Sequence, residues 1–189
     1  MTGAPPPSDR PKTFLSSRTY AAAIADGANR WAYLEYYINK AIWELAGVKP
    51  ALGACLTSQM YTLNAKLNAL LALLKLRKAD SAILTSVNKF AASVRDALEA
   101  RNRIVHDVWM NNNFHPDVMG KMRVTADKQL VMKIENIELS KLQADVQLIE
   151  KRRLEAGEIE DTIRRALPSL PEMSQGELYP IVETPSDQS

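Results

Sequence analysis

Apolar side chains recur every three or four positions along four long stretches of this 189-residue chain. That spacing places them on one face of an α-helix, and it predicts helices over about 16–45, 51–77, 81–109 and 139–167. Long helices joined by short connections predict an antiparallel four-helix bundle. The apolar stripe of the first predicted helix consists of Ile24, Ala28, Trp31, Leu34, Ile38, Ile42 and Leu45.

A second pattern lies between the third and fourth predicted helices. Apolar and polar residues alternate over 121–125 and over 130–134, on either side of the polar segment 126–129. Strict alternation is typical of a β-strand, and two such runs around a short polar segment predict a β-hairpin. The predicted fold is therefore all-α, with a hairpin at about 121–134 inserted between helices three and four.

Proline and charge mark the two ends of the chain. Residues 1–15 contain Pro5-Pro6-Pro7 and Pro11, and residues 168–189 contain four further prolines and four acidic residues without Lys or Arg. Such segments cannot bury enough apolar surface to fold, so both are predicted to be disordered. The region between them, 16–167, is predicted to be one helical domain.

The charge of this central region only weakly indicates a partner. Residues 16–167 carry 22 basic and 17 acidic side chains, a net charge of +5. This excess permits a polyanionic partner such as RNA or a nucleotide, but a solvated surface explains it equally well.

The sequence also limits where the protein is expected to work. A single cysteine, Cys55, excludes an intrachain disulfide and fits a reducing compartment. The start of the chain lacks an apolar signal segment, and the most apolar run, 69–74, is too short to cross a bilayer. We therefore expect a cytoplasmic protein without a membrane partner.

Candidate chemistry is concentrated near the end of the third predicted helix. Arg101, Asn102 and His106 place a permanent cation, an amide and a titratable imidazole within six residues. Arginine neutralises phosphate and histidine transfers protons near neutral pH, so together they suit cleavage of an RNA phosphodiester without a metal. Solvated or helix-capping side chains are the alternative interpretation of the same three residues.

The helical phase predicts how these side chains are placed. Arg101 follows Val94 by seven residues and falls inside the apolar stripe, where a guanidinium requires a carboxylate, carbonyls or a ligand phosphate. Glu35 of the first helix also points inward by its spacing, and we expect it to pair with Arg101 or to orient His106. The alternative is that Glu35 extends to water.

Four more residues of this helix are assigned from the same spacing. Arg95 and Trp109 share the face of Asn102, which makes them candidate substrate-binding residues. Arg103 and Asp107 fall on the opposite, polar face and are expected to be ordinary surface residues. No cofactor or metal site is expected, because the chain lacks a phosphate-binding glycine loop and its other histidine, His115, has no partner at ligand spacing.

The segment resembles the signature of HEPN domains (higher eukaryotes and prokaryotes nucleotide-binding). The signature is an Arg, four to six residues and a His near the end of a helix, with a polar residue often following the Arg. Arg101, Asn102 and His106 match these positions. The resemblance implies a four-helix bundle over 16–167 that dimerises so that two motifs line one cleft.

The same resemblance implies a metal-independent endoribonuclease of toxin–antitoxin, phage-defence or RNA-processing systems, with a protein antitoxin as a further partner. His106 would then be the acid or base, Arg101 would stabilise the phosphorane, and Asn102 would position the phosphate or the histidine. Two alternatives stay open. One is a non-catalytic helical module that binds a nucleotide, RNA or a protein, and the other is a structural dimer in which Arg101 pairs with Glu35.

Overall fold

The computed structural model describes residues 13–111, 118–127 and 129–167. The predicted disorder of 1–15 and 168–189 concerns residues outside this part of the chain, except that the first helix already begins at Thr13. The described residues are mainly helical with a small antiparallel sheet. The elements are α1 Thr13–Ala46, α2 Pro50–Thr57, α3 Leu63–Leu76, α4 Ser81–His106, β1 Val108–Asn111, β2 Met119–Asp127, β3 Gln129–Ile137 and α5 Leu139–Ala166.

The prediction of one continuous helix over 51–77 is wrong. The chain forms two helices there, and α3 begins anew at Leu63 after Thr62, whose side chain accepts a hydrogen bond from the backbone of Ala65. Hydroxyl side chains compete for backbone groups and favour helix ends over helix interiors. The Thr57 hydroxyl likewise donates to the carbonyl of Gly53, at the last residue of α2.

The relative direction of α1 and α5 also differs from the prediction. Arg30 Nη1 lies 2.7 Å from Glu150 Oε2, and Lys40 Nζ lies 2.8 Å from Glu160 Oε1. Residue numbers increase together along these contacts, so the two helices run parallel. The prediction of an antiparallel bundle is therefore wrong for this pair, which forms the most extensive helix–helix contact of the described residues.

Helix α4 runs in the opposite direction to α5. Arg152 Nη2 of α5 lies 3.1 Å from Asp96 Oδ2, whereas Arg103 Nη2 lies 3.3 Å from Asp145 Oδ1. Residue numbers therefore rise along α4 as they fall along α5. The end of α4 is thus brought beside the start of α5, next to the sheet.

The helices enclose one apolar core, as their sequence spacing predicts. It draws on α1, α3, α4 and α5, and its fully buried side chains include Leu34, Leu45, Leu70, Leu74, Val87, Val94, Ile104, Leu142, Ile149 and Ile163. Within the described part of the chain, no helix combines the length and the apolar character that crossing a membrane requires.

The predicted hairpin at 121–134 is present and is longer than predicted. Strands β2 and β3 pair antiparallel with Met119 opposite Ile137, and β1 adds a third strand with Val108 opposite Met122. The prediction that the third helix extends to Trp109 is wrong, because this residue lies in β1. Valine and tryptophan are enriched in β-strands, which fits their place in β1.

The sheet packs one face on the helical body. Tyr20 of α1 donates a 2.7 Å hydrogen bond from its hydroxyl to the carbonyl of Ile137, and its ring centroid lies 6.3 Å from that of Trp109. Side chains alternate across a strand, so the neighbouring residues face away from the helices. Among them, Val108 and Ile134 are half or more exposed.

Candidate functional site

The end of α4 assembles the three residues that the sequence singles out. Arg101 Nη1 lies 2.8 Å from Nε2 of His106 and donates to Oδ1 of Asn102 at 3.1 Å. All three belong to the last two turns of one helix, so their grouping is local and needs no distant segment. The resulting cluster, Arg101–Asn102–His106, is called the RNH cluster below.

The RNH cluster is on the surface of the protein. Asn102 and His106 are exposed and Arg101 is partly exposed, whereas Ala100 and Ile104 are buried. The expectation that Arg101 points into the bundle is therefore wrong. The buried stripe of α4 passes through Ala97, Ala100 and Ile104. Arg101 follows Ala100 in the chain and lies beside this stripe.

The contact between Arg101 and His106 involves one nitrogen of the imidazole, Nε2. A guanidinium has only donors, so Nε2 of His106 must accept this hydrogen bond. An imidazole nitrogen that accepts a hydrogen bond has the lone pair that a general base requires.

An open cleft of about 460 Å³ adjoins the RNH cluster. Its walls come from the last turns of α4 and from β1 and β2. It contains both signs of charge and two apolar side chains, which suits a ligand that is charged at one part and planar or apolar at another. The lining residues are Glu99, Asn102, Arg103, His106, Asp107, Val108, Met122 and Arg123.

Asn102 and His106 of the RNH cluster line this cleft and Arg101 does not. The structure places the other predicted site residues away from it. Arg95 is exposed on α4, two turns before Asn102, and is not part of the cleft wall. Trp109 is partly buried on the sheet face that packs on the helices, and its indole N–H donates to the carbonyl of Ile104 at 2.9 Å. Trp109 thus closes the end of α4, and its predicted contact with substrate has no support in this placement.

The predicted partnership of Glu35 with the RNH cluster is not formed. Its carboxylate lies 3.5 Å from Nζ of Lys66 on α3, and it makes no ion pair with Arg101 in the described part of the chain. The side chain of Lys66 is only 10% exposed, so Glu35 serves to neutralise it. The alternative of a structural Arg101–Glu35 pair is excluded within one chain by the same contact.

Three charged residues at this end of the molecule were not among the predicted site residues; Asp107 and Arg123 line the cleft, whereas Lys121 does not. Asp107, expected to be ordinary surface, has a side chain only 8% exposed and lies 3.2 Å from Nζ of Lys121, which is equally buried. Arg123 also donates to both oxygens of Asp107, at 3.3 and 3.2 Å. These hydrogen bonds raise the pKa of the Arg123 guanidinium.

One signal in the sequence points to these residues. Lys121 and Arg123 alternate with Met122 along β2, and an acid follows His106 directly. The usual assignment turns the apolar alternates of a strand toward the core. Here the charged alternates face the helical body, because Asp107 neutralises them there.

A second pocket of about 250 Å³ lies next to the cleft, and Arg103 and Arg123 contribute to both. Arg103 is held by Asp145 of α5 at 3.3 Å, so each shared arginine is already paired with a carboxylate. Among the described residues, no group of three or more His, Cys, Asp and Glu side chains is placed to hold a metal ion.

Comparisons with models of protein families, with curated proteins and with solved structures find no match for this chain.

Proposed function

We propose that this protein is a metal-independent endoribonuclease of the HEPN type. The observation that carries the proposal is the RNH cluster, in which Arg101 contacts both Asn102 and His106 beside an open cleft. A cation, an amide and an imidazole on one exposed helix end can bind a phosphodiester and take a proton from its neighbouring hydroxyl.

The chemistry follows from the donors and acceptors of the cluster. A bound phosphate draws hydrogen bonds of Arg101 to its non-bridging oxygens, which frees Nε2 of His106. Nε2 then takes the proton of the ribose 2′-hydroxyl while O2′ bonds to phosphorus and the bond from phosphorus to O5′ breaks. The products are a 2′,3′-cyclic phosphate and a chain with a 5′-hydroxyl, once a proton reaches O5′. Arg101 and Asn102 stabilise the charge that develops on phosphorus-bound oxygen, an effect of about 3–4 kcal/mol for a well-placed donor.

The proton for O5′ requires a second acid, because His106 has become occupied as the base. In the proposal a second copy of the chain supplies it, so the active form is a homodimer with two RNH clusters at one cleft. Exposed apolar side chains next to the cluster support such a contact: Val105 is 40% exposed and Val108 is 50% exposed. Apolar patches at the surface are typical of association sites.

A second candidate function is a non-catalytic module that binds RNA, a nucleotide or a protein. The observation in its favour is that Glu99 and Asp107 lie in the cleft wall and that Arg103 and Arg123 are already paired there. Carboxylates repel the polyphosphate backbone and weaken the electrostatic attraction on which RNA affinity depends. In this function the RNH cluster would recognise a phosphate without cleaving it.

The deciding experiment is RNA cleavage in excess EDTA by the wild type and by Arg101→Ala and His106→Ala. Arg165→Ala is the matched control, because Arg165 is an exposed arginine at the far end of α5. Folding and oligomeric size of each variant are checked first. Cleavage that ends in 2′,3′-cyclic phosphate and is lost only in the two cluster variants supports the proposal.

Two other outcomes contradict the ribonuclease proposal. If folded wild type binds RNA with a steep salt dependence but leaves it intact, the binding module is the better function. If it neither binds nor cleaves RNA, both nucleic-acid functions are wrong and the cleft serves another ligand. A role in a toxin–antitoxin pair or in phage defence belongs to the same proposal, and it predicts growth arrest on expression of the wild type and none with His106→Ala.

A further inference from the structure

A buried ion pair lies directly behind the RNH cluster. Asp107 Oδ2 is 3.2 Å from Nζ of Lys121, and each of these side chains is only 8% exposed. A buried charge without its partner is strongly unfavourable, so each of the two residues holds the other in place. Since Asp107 follows His106 in the chain, the pair fixes the backbone next to the imidazole onto β2.

The other side of His106 is fixed as well. Trp109 donates its indole N–H to the carbonyl of Ile104 at 2.9 Å, which is one of the carbonyls that a helix end leaves without a partner. The ammonium group of Lys121 lies 5.9 Å from the centroid of the Trp109 ring, so the same lysine contacts both anchors. The turn that carries His106 is thus tied to the sheet at Ile104 and at Asp107.

The imidazole itself has no such packing. The His106 side chain is exposed, and its contact with Arg101 is made over open solvent. The distance between the two side chains therefore depends on where the backbone of the last helical turn stands. An error of about 1 Å in such a placement can reduce a reaction rate by about 100-fold.

We infer that Asp107 and Lys121 are positioning residues for His106, an inference that rests on the proposed ribonuclease function. Lys121 is not part of the cleft wall, and the carboxylate of Asp107, which lines the cleft, is already paired with Lys121 and Arg123. The buried pair holds the last turn of α4 against β2, and this keeps Nε2 of His106 within reach of Arg101 and of a bound 2′-hydroxyl.

The test separates positioning from stability by removing both charges at once. Lys121→Met alone leaves Asp107 buried with Arg123 as its remaining partner, so this variant is expected to lose stability. The double variant Asp107→Asn/Lys121→Met contains neither buried charge and is expected to fold. We expect its kcat for RNA cleavage to fall at least ten-fold with little change in KM, whereas Lys121→Arg, which keeps the cation, retains most of the activity. A double variant with wild-type kcat overturns the inference.

A matched control comes from the other end of the molecule. Lys40 and Glu160 form a second lysine–carboxylate pair, at 2.8 Å, in which the Glu160 side chain is only 4% exposed. The variant Lys40→Met/Glu160→Gln also removes a lysine–carboxylate pair with a buried carboxylate, but this pair lies at the opposite end of α1 from the sheet. Its kcat should match that of the wild type, and an equal loss of kcat in this control would contradict a specific role for Asp107 and Lys121.

An NMR measurement tests the inference without any ribonuclease activity. The chain has only two histidines, so imidazole ¹⁵N spectra contain two sets of signals, and His115→Gln assigns them. Neutral His106 of the wild type should show the proton on Nδ1, because Nε2 accepts from Arg101. In Asp107→Asn/Lys121→Met we expect a mixture of tautomers. An unchanged spectrum of the double variant overturns the inference. If the wild type does not cleave RNA but the spectrum of the double variant differs from that of the wild type, positioning is supported while the proposed function fails.

Discussion

The guanidinium of Arg101 donates to Nε2 of His106 at 2.8 Å, although the two residues are five positions apart and their Cα atoms do not share one helix face. The long arginine side chain bridges this separation across the helix surface and meets Asn102 on the way, at 3.1 Å. In the proposed reaction Arg101 therefore covers Nε2 of His106 until an anion binds. Binding of an anion at Arg101 and release of Nε2 would then be one coupled event.

This coupling predicts that lysine cannot replace arginine in the cluster. An ammonium group is a compact point charge without the planar fork that can contact two acceptors in fixed geometry. Arg101→Lys should lower kcat for RNA cleavage at least ten-fold while the free energy of unfolding stays close to that of the wild type. The control is Arg95→Lys, an exposed arginine of the same helix, for which we expect a rate within about two-fold of wild type. Equal activity of Arg101→Lys and wild type would contradict the role given to the guanidinium.

The carboxylate of Glu150 predicts how stability depends on pH. Hydrogen bonds from Arg153, together with Arg30, lower the pKa of Glu150 to about 2 from an ordinary value of 4.5, against an opposing effect of partial burial. A lowered pKa stabilises the folded state above the unfolded-state pKa, and this stabilisation is lost as the pH falls from about 4.5 to about 2. Glu150→Gln should therefore reduce the free energy of unfolding at pH 7 by up to about 3 kcal/mol, which corresponds to this shift.

Urea unfolding of both proteins at several pH values measures the effect. The difference between wild type and Glu150→Gln should be constant at neutral pH and should shrink below about pH 4.5, as Glu150 takes up its proton. Asp161→Asn serves as a control, because Asp161 also pairs with an arginine but both side chains are about half exposed. It should change stability little at any pH. A difference for Glu150→Gln that persists unchanged at pH 2 would disprove the assignment.

Two glycines in helices should respond to alanine in opposite directions. A Cβ atom at Gly53 would stand 2.8 Å from Cδ2 of the Trp43 indole, whose N–H is held by Thr57. Gly53→Ala should therefore destabilise the protein by about 1–3 kcal/mol, as overpacking does. A Cβ at Gly157 meets Tyr37 at an ordinary 3.6 Å, so Gly157→Ala should stabilise by about 0.5–1 kcal/mol through helix propensity alone. Denaturant unfolding measures both effects. A Gly53→Ala variant that is more stable than the wild type would show that the Trp43 indole moves aside.

The hydrogen bond between Tyr20 of α1 and the sheet predicts that removing one hydroxyl group destabilises the protein. Tyr20 is 1% exposed and donates to the carbonyl of Ile137 at 2.7 Å. Tyr20→Phe leaves this carbonyl without that donor, so we expect a loss of about 1–3 kcal/mol in the free energy of unfolding. Tyr61→Phe is the matched control, since Tyr61 is 86% exposed and its hydroxyl contacts only the surface residue Gln59 in the described region. Equal effects of both substitutions would contradict the prediction.

Sequence periodicity predicted most helices well because each buries a long apolar stripe. It failed over 51–77, where Leu56 and Met60 continue the helical spacing although the helix stops. The hydroxyls of Thr57 and Thr62 take up backbone groups there, and apolar spacing carries no information about that competition. For the same reason the parallel arrangement of α1 and α5 could not be predicted. The extra break in the chain reverses the direction of every later helix.

Residue types drew attention to the candidate site, but the helical spacing predicted the wrong face of α4 for Arg101. Two stripes of α4 differ by one position, and Leu98, Arg101 and Val105 look as suitable for the core as Ala97, Ala100 and Ile104. Packing against α1 and α5 selects the second stripe: a Cβ added at Gly27 of α1 would stand only 3.2 Å from Ile104 Cδ1. Such close helix contact favours small residues and depends on the partner helices, so one helix considered by itself cannot reveal it.

The alternation of Lys121, Met122 and Arg123 along β2 has a consequence for folding fidelity. Moving a strand by one residue against its neighbour turns all its side chains to the opposite face. A slipped β2 would carry both cations away from Asp107, leave that carboxylate buried and uncompensated, and place Met122 against it. Hairpins usually select their register by burying the apolar face of each strand. In this hairpin the buried carboxylate of Asp107 selects the register, because only one alignment of β2 neutralises it. The same alignment fixes β2 to the end of the helix that contains His106.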